Sequence, residues 1–465
     1  MKRAGARPRR SRRAGPLLGV AALAAVFAFT AASALDVRTA RAETRSLTLA
    51  EAVALARSQA PAMKIARARA LEAKRKSQGA FTDWLPKLAT EATYSISDEP
   101  QNLRIPAGTL GSFPATGPIP AEDVALQQGG DDLFFITTTL SQPLTQLLKV
   151  GGAHSIARAG SRAAQADLRA AENSMLVSLQ GAYGALLVAT RRSEAAALNA
   201  RATSDLLTDA ERGVAAGTSH PVQAAEARVR ALDARRREIE AANEIEDRAA
   251  DLCLILGLPV GTTFDLAPLD PAPTDSLPLA ETTARALAAN PEIHAARETL
   301  NQARRAVGIA RSDFVPQLGL YAQHTYQDAV PFLPEESVSY GFKVEWTVWD
   351  FWKRGFEVGA RQAARLQAEE NLAVVTRRVA ADVEKAHRRL RRAALLVEAA
   401  RAARDARAEA ARLRADQTGA GLVLGSSGLQ AEAERVSAEA DLLAAELEQR
   451  IARAELQRAT GSVTP

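Results

Sequence analysis

Cysteine is almost absent: the single Cys253 among 465 residues permits no internal disulfide. It stands within "DLCLILGL", where it reads as a small buried side chain. Aromatic residues make up only 5% of the chain, against an apolar fraction of 47%. With so much Ala, Arg and Glu, the composition favours helix. Proline is missing between Pro143 and Pro221, and again between Pro334 and Pro465. Those two stretches leave room for long uninterrupted helices. Beyond the leader there is also no run of ~20 apolar residues, so no transmembrane helix is expected there.

An excess of positive charge is missing from most of the chain as well. The formal net charge is +5, but Met1–Ala42 holds nine Lys and Arg against Asp36 and so carries +8, leaving −3 for the remainder. A nucleic-acid partner inferred from the high isoelectric point is thereby excluded. The basic start is followed by the apolar run Pro16–Ala32 and by small-residue exits at Ala34 and Ala42. That layout predicts a signal peptide over residues 1–42, cleaved after Ala34 or Ala42. A membrane anchor is the competing reading, disfavoured by the short run and its cleavage-like end. The doubled arginines are read as part of a long basic leader rather than as a twin-arginine signal.

What the chain does have is a phrase written twice. "AFTDWLPKL" at Ala80–Leu88 returns as "ARSDFVPQL" at Ala310–Leu318. That offset of 230 holds without a gap from Leu47 and Leu277 onward, with Glu51 matching Glu281 and Pro61 matching Pro291. Further along, an offset of 204 aligns Lys149 with Lys353, Leu168 with Leu372, Gly217 with Gly421 and Gly257 with Gly461. The chain therefore reads as a tandem duplication: a first repeat over 43–262, a Pro-rich linker over 263–276 and a second repeat over 277–463. The change of offset places an insertion in the first repeat, between Leu88 and Lys149.

Each repeat opens with a helical pattern, Thr48–Thr82 and Pro278–Ser312. Asn290-Pro291-Glu292 resembles an N-cap followed by a first-turn proline and acid, so a helix is expected to restart there. Residues before proline are driven from the α region, which should end these helices by Leu85 and Val315. Period-two alternation then predicts four strands near 86–97, 133–143, 316–326 and 338–347, each with one apolar and one polar face. Strands of about ten residues are the length that crosses a bilayer as barrel wall. Trp84, Phe314, Trp346, Trp349 and Trp352 fall at the strand–helix junctions, as an interfacial aromatic girdle would.

Long helices follow. Leu168, Met175, Leu179 and Leu186 recur as Leu372, Val379, Val383 and Leu390, a heptad-like seam in both repeats. A helix from about Gly151 to Arg212 would run ~90 Å at 1.5 Å per residue. Each long helix ends near a glycine cluster, Gly213–Ala227 or Gly419–Ala433, from which a second helix returns.

With "LTLAEAV", "ANPEI", "DFVPQL", the tip glycines and "LILGLP" in order, the chain resembles the TolC-like outer-membrane efflux protein family over nearly its whole mature length. The resemblance implies a fold that is mainly α with membrane β. It also implies a homotrimer in which each tandem-duplicated protomer gives four strands to a 12-stranded β-barrel and its long helices to a periplasmic α-barrel. The longer strand turn, which holds the insertion, would be extracellular. The helical tips, here Gly217, Thr218, Ser219, Gly421, Leu422 and Val423, would meet a periplasmic adaptor and close the entrance. Some relatives carry two gate aspartates after the second tip glycine; the corresponding residues here are Ser427 and Gln430, with Gln223 in the first repeat. Those positions carry no acid, and Leu422, Val423 and Leu424 become candidates for apolar closure of the tip.

No catalytic, cofactor or metal constellation is found. The five histidines are scattered, and His220, near a tip, reads as an exposed turn residue. "GAGLVLGSSG" lacks the Lys-Ser/Thr of a P-loop, and Arg388–Arg392 reads as a solvated helix face. Two classes remain. One is a passive outer-membrane conduit in a Gram-negative bacterium, docked through an adaptor to an inner-membrane pump for efflux or type I secretion. The other is a periplasmic coiled-coil adaptor without a pore. Two equivalent hairpins and two strand pairs favour the conduit.

Overall fold

The computed structural model describes residues 44–96, 102–127, 132–269, 278–328, 334–420, 422–461 and 463. The leader over 1–42 and Gly421 lie outside the described residues.

The described residues start with strand β1 (Thr44–Leu47) and helices α1 (Leu49–Gln59) and α2 (Pro61–Thr82). Thr48 and Glu51 form a capping box that starts α1, and Pro61 occupies the first turn of α2, where its missing N–H costs nothing. Strand β2 (Lys87–Ile96) follows. The two short ladders β3–β6 (Asn102–Ile105 with Val124–Gln127) and β4–β5 (Ser112–Phe113 with Gly117–Pro118) lie between it and β7 (Asp132–Pro143). They fall in the segment that carries the insertion.

Helix α3 (Gln146–Ala215) runs 70 residues, about 105 Å at 1.5 Å per residue, and α4 (Pro221–Leu256) returns beside it. The stretch that reads as a linker contains strand β8 (Thr263–Leu266), which pairs in parallel with β1. A sequence scan for hairpins misses this pair, because its partners are short and far apart in the chain. The second repeat then gives α5 (Leu279–Ala289), α6 (Pro291–Ser312), β9 (Gln317–Gln327), β10 (Glu336–Glu345), α7 (Lys353–Gly419) and α8 (Gly425–Thr460). The long strands thus differ only slightly from the expected bounds. Helix α3 starts before Gly151, since Gly151-Gly152 continue the helix rather than open it.

Equivalence of the repeats is structural as well as sequential. The hairpin β2–β7 sets Leu88 against Leu140, and β9–β10 sets Leu318 against Val344, the same pair displaced by 230 and 204. Strands β2, β7, β9 and β10 form one antiparallel sheet in that order, with β2 and β10 at the edges.

Each repeat has its own core. Met175, Leu179 and Leu186 of the first seam are buried against Val53, Met63, Leu252 and Leu256. Their counterparts Val379 and Val383 are buried with Ala286, Ile293 and Leu456. Helix α3 packs against α2, α4, α6 and α8, and α7 against α6 and α8.

Candidate functional site: a membrane sheet and a helical tip

One end of the molecule is the four-stranded sheet. Leu88, Tyr94, Ile136, Leu140, Leu320, Tyr340, Phe342 and Val344 share one face, and Glu91, Thr93, Thr139, Gln323, Lys343 and Glu345 share the other. Phe342 is 71% exposed and Tyr340 83%, an apolar display that a sheet facing water does not need.

Next to the sheet lie the junctions. Helix α2 closes with Thr82 Oγ1 donating to Gly79 O at 2.7 Å, and α6 closes identically with Ser312 Oγ donating to Ile309 O at 2.6 Å. Trp84 then lays its ring over Gly151, where a Cβ would touch it at 3.5 Å. Phe314 carries the Arg354 guanidinium 5.2 Å above its ring. Arg354 in turn donates to Asp350 Oδ2 at 2.6 Å and to Asp313 O at 3.1 Å. Lys149 Nζ lies 2.6 Å from Asp313 Oδ1, so repeat one is tied to repeat two at this level. Trp346, Trp349 and Trp352 are exposed in the segment between β10 and α7; Trp349 meets Trp352 edge-on at 6.5 Å. The junction holds Phe351 and Trp352 at φ of 53° and 67°, a sharp turn into α7 that bulky residues adopt only under constraint.

The other end is the tip. Helix α3 unwinds after Ala215 with Thr218 N and Ser219 N both bonded to Gly213 O, at 2.9 and 3.1 Å. His220 caps α4, its Nδ1 accepting from Val222 N at 3.3 Å. It is a turn residue, as its place in the sequence suggested. In the second tip Leu422 N bonds Gln417 O at 2.9 Å, and Leu422 and Leu424 are 75% and 58% exposed. Ser427 and Gln430 fall within the first turns of α8, Ser427 half-buried and Gln430 exposed. Ser426, which sequence reasoning passed over, is buried and lies 3.5 Å from Asp209 Oδ2 on α3, so the second tip leans on the first. Gly217, Thr218, Ser219, Leu422 and Val423 therefore gather at one end of the two hairpins. Among the described residues no cluster of His, Cys, Asp and Glu is placed to hold a metal ion.

The profile described as "Outer membrane efflux protein" matches residues 52–258 and 283–462, the two repeats in turn. The chain belongs to that family. Its fold is shared with the Campylobacter jejuni CmeC outer membrane channel (TM-score 0.70, 17% identity, 89% of this chain and 85% of that one). The Neisseria gonorrhoeae MtrE outer membrane channel is likewise similar (TM-score 0.65, 19% identity, 89% of each chain). A curated relative, the alkaline protease secretion protein AprF of Pseudomonas aeruginosa, is 29% identical over 206 residues. That match spans 41% of this chain and 40% of the relative's length. As an outer membrane efflux protein the chain is mainly α with membrane β, a tandem-duplicated protomer of four long strands and long helices.

Proposed function

We propose that the chain is one protomer of a passive exit duct in the outer membrane, extending into the periplasm. One observation carries the reading. A four-stranded sheet with an apolar face and two unpaired edges stands on helices about 100 Å long. An open edge cannot face lipid, where unmet backbone groups cost several kcal/mol each. Three copies supply twelve strands, enough to close a barrel, and their helices continue it as a tube across the periplasm. Trp84, Phe314, Trp346, Trp349 and Trp352 then mark the membrane–water boundary.

The duct supplies no energy. A periplasmic adaptor grips the tips at Gly217, Thr218, Ser219, Gly421, Leu422 and Val423 and links them to an inner-membrane pump. Leu422 and Leu424, with Ser427 and Gln430 behind them, close the entrance when no adaptor is docked. The relatives' names include outer membrane channels and a protease secretion protein. The pump, rather than the duct, selects the cargo.

The deciding experiment is fractionation of the expressed protein, followed by unheated SDS gel electrophoresis and planar-bilayer recording. An outer-membrane trimer that conducts supports the duct. A soluble periplasmic species without conductance rejects it in favour of an adaptor-like scaffold.

A further inference from the structure

The parallel pair β1–β8 is a sheet with an unused edge. Among the described residues no third strand lies beside either partner. Ala267 N donates to Leu47 O at 3.2 Å, with Leu47 standing opposite Leu266. In a parallel ladder that bond fixes which way each residue points. Asp265 turns its N–H and C=O toward β1, and Phe264 and Leu266 turn theirs away. Those outward groups of Phe264 and Leu266 meet no hydrogen-bond partner among the described residues. A row of unpaired backbone groups is a template for another strand.

A cavity of about 420 Å³ opens against β8 and touches Phe264, Asp265 and Leu266 in succession. Successive strand side chains point to opposite faces, so a cavity that reaches three in a row runs along the edge. Leu187 of α3 and Leu443 of α8 give the groove an apolar wall, and Asp265, Glu439 and Glu446 make it acidic. Arg191 also lines it, but Glu194 already holds that guanidinium at 2.8 Å. Asp265 has no ion pair among the described residues, and Arg401 stands 3.7 Å from Glu446. The groove thus joins unmet backbone groups, an apolar wall and an excess of carboxylate.

We propose that this edge is a docking site for a periplasmic protein, which adds an extended segment of alternating apolar and basic residues to β8 as a third strand. Backbone bonds to Phe264 and Leu266 supply affinity and register. Residues of the segment opposite those two place apolar side chains on their face, beside Leu187. The alternate residues meet Asp265 on the other face, where lysine or arginine complements the carboxylates. The chain's own continuation does not suit the edge. Residues 270–277 hold Asp270 and Asp275, two prolines and no lysine or arginine. Proline withholds the N–H that a ladder needs, and the aspartates would meet like charge. Leu187 lies roughly 60 Å from the sheet end of α3 and roughly 40 Å from its tip end, at 1.5 Å per residue. A partner held there touches neither the membrane sheet nor the tips.

The test uses the full-length protein in detergent and a fluorescent peptide, acetyl-Lys-Val-Lys-Val-Lys-Val-Lys-amide, read by anisotropy. Successive N–H groups of a strand face opposite edges, so methylating the valine amides or the lysine amides probes one edge at a time. One methylated peptide should bind at least about 10-fold more weakly than the parent, and the other within about twofold. A peptide with glutamate in place of lysine should not bind the wild type. Asp265→Lys with Glu446→Lys should reverse that preference, with unheated gels checking that the variant still assembles. No binding of the parent peptide, equal loss with both methylated peptides, or a preference unmoved by the charge reversal overturns the docking edge. The duct reading is tested separately: a conducting trimer that ignores the peptide keeps the duct and loses the edge. A soluble, non-conducting protein that binds it loses the duct and keeps the edge.

Discussion

Gly461 approaches the backbone of Ala289 so closely that a Cβ there would sit 2.6 Å from the carbonyl oxygen, and Gly257 stands in the same relation to Gln59 at 3.0 Å. Each glycine ends a long returning helix in the left-handed region, with φ of 91° and 72°. The left-handed conformation costs an L-residue about 1–2 kcal/mol, and the contact with backbone adds to it. Gly461→Ala should therefore destabilise by more than about 2 kcal/mol, and Gly257→Ala by less than Gly461→Ala. Thermal unfolding of the purified protein in detergent checks the order; equal melting points for both variants and the wild type reject it.

Tyr183 is fully buried, and its hydroxyl lies 2.9 Å from Leu47 O and 2.8 Å from Ala267 O. One proton is shared between β1 and the segment after β8, which pins the parallel β1–β8 pair to α3. Tyr183→Phe removes only the donor and should cost about 1–2 kcal/mol. Tyr183→Ala also opens a cavity and should cost about 3–5 kcal/mol. Denaturant unfolding separates the two, and a Phe variant as stable as the wild type would show the hydroxyl to be idle.

Much of this fold was readable from residues. Proline at 86, 291 and 316 stops or restarts helices by a local steric rule, so those junctions follow from sequence alone, whereas the break between α1 and α2 at Pro61 lies inside a stretch that reads as one helical pattern. The strand faces followed from period two, and the seam from Leu168 and its heptad partners. The β1–β8 pair did not, because two short parallel strands from opposite ends of a repeat leave no local pattern. The Lys149–Asp313 tie is hidden for a related reason: the repeat pattern matches equivalent residues, but ion pairs between repeats depend on which helix ends come together. The spacing from a tip glycine to Ser427 and Gln430 says nothing of where a helix starts; α8 begins at Gly425 and takes both.

Glu298 on α6 pairs with Arg162 on α3 at 2.7 Å, and the Arg162 hydrogen bond holds its carboxyl below the usual carboxylate range. A depressed folded value stabilises above the unfolded value near 4.5 and loses that contribution as pH falls through the folded value. Because Arg162 is half exposed, the pair is worth only about 0.5 kcal/mol. Glu298→Gln should melt slightly below the wild type at neutral pH and coincide with it in acid, once the carboxyl is protonated. A gap that persists or widens in acid would mean that packing, not charge, sets the difference.

The tip offers the sharpest functional test, because its two leucines face water in the single chain. Leu422 and Leu424 are 75% and 58% exposed, so replacing them by serine removes little folding energy. If they close the entrance by apolar contact across copies, polar replacements wet the constriction and weaken closure. The variant Leu422→Ser with Leu424→Ser should conduct several-fold better in planar bilayers than the wild type, with an unchanged melting point. Ser427→Ala with Gln430→Ala should change conductance less, since neither residue carries charge and Ser427 is already half-buried in α8. Unchanged conductance in the leucine variant, with a large effect in the Ser427 and Gln430 variant, would move the gate one helical turn up the tube and out of the tip loop.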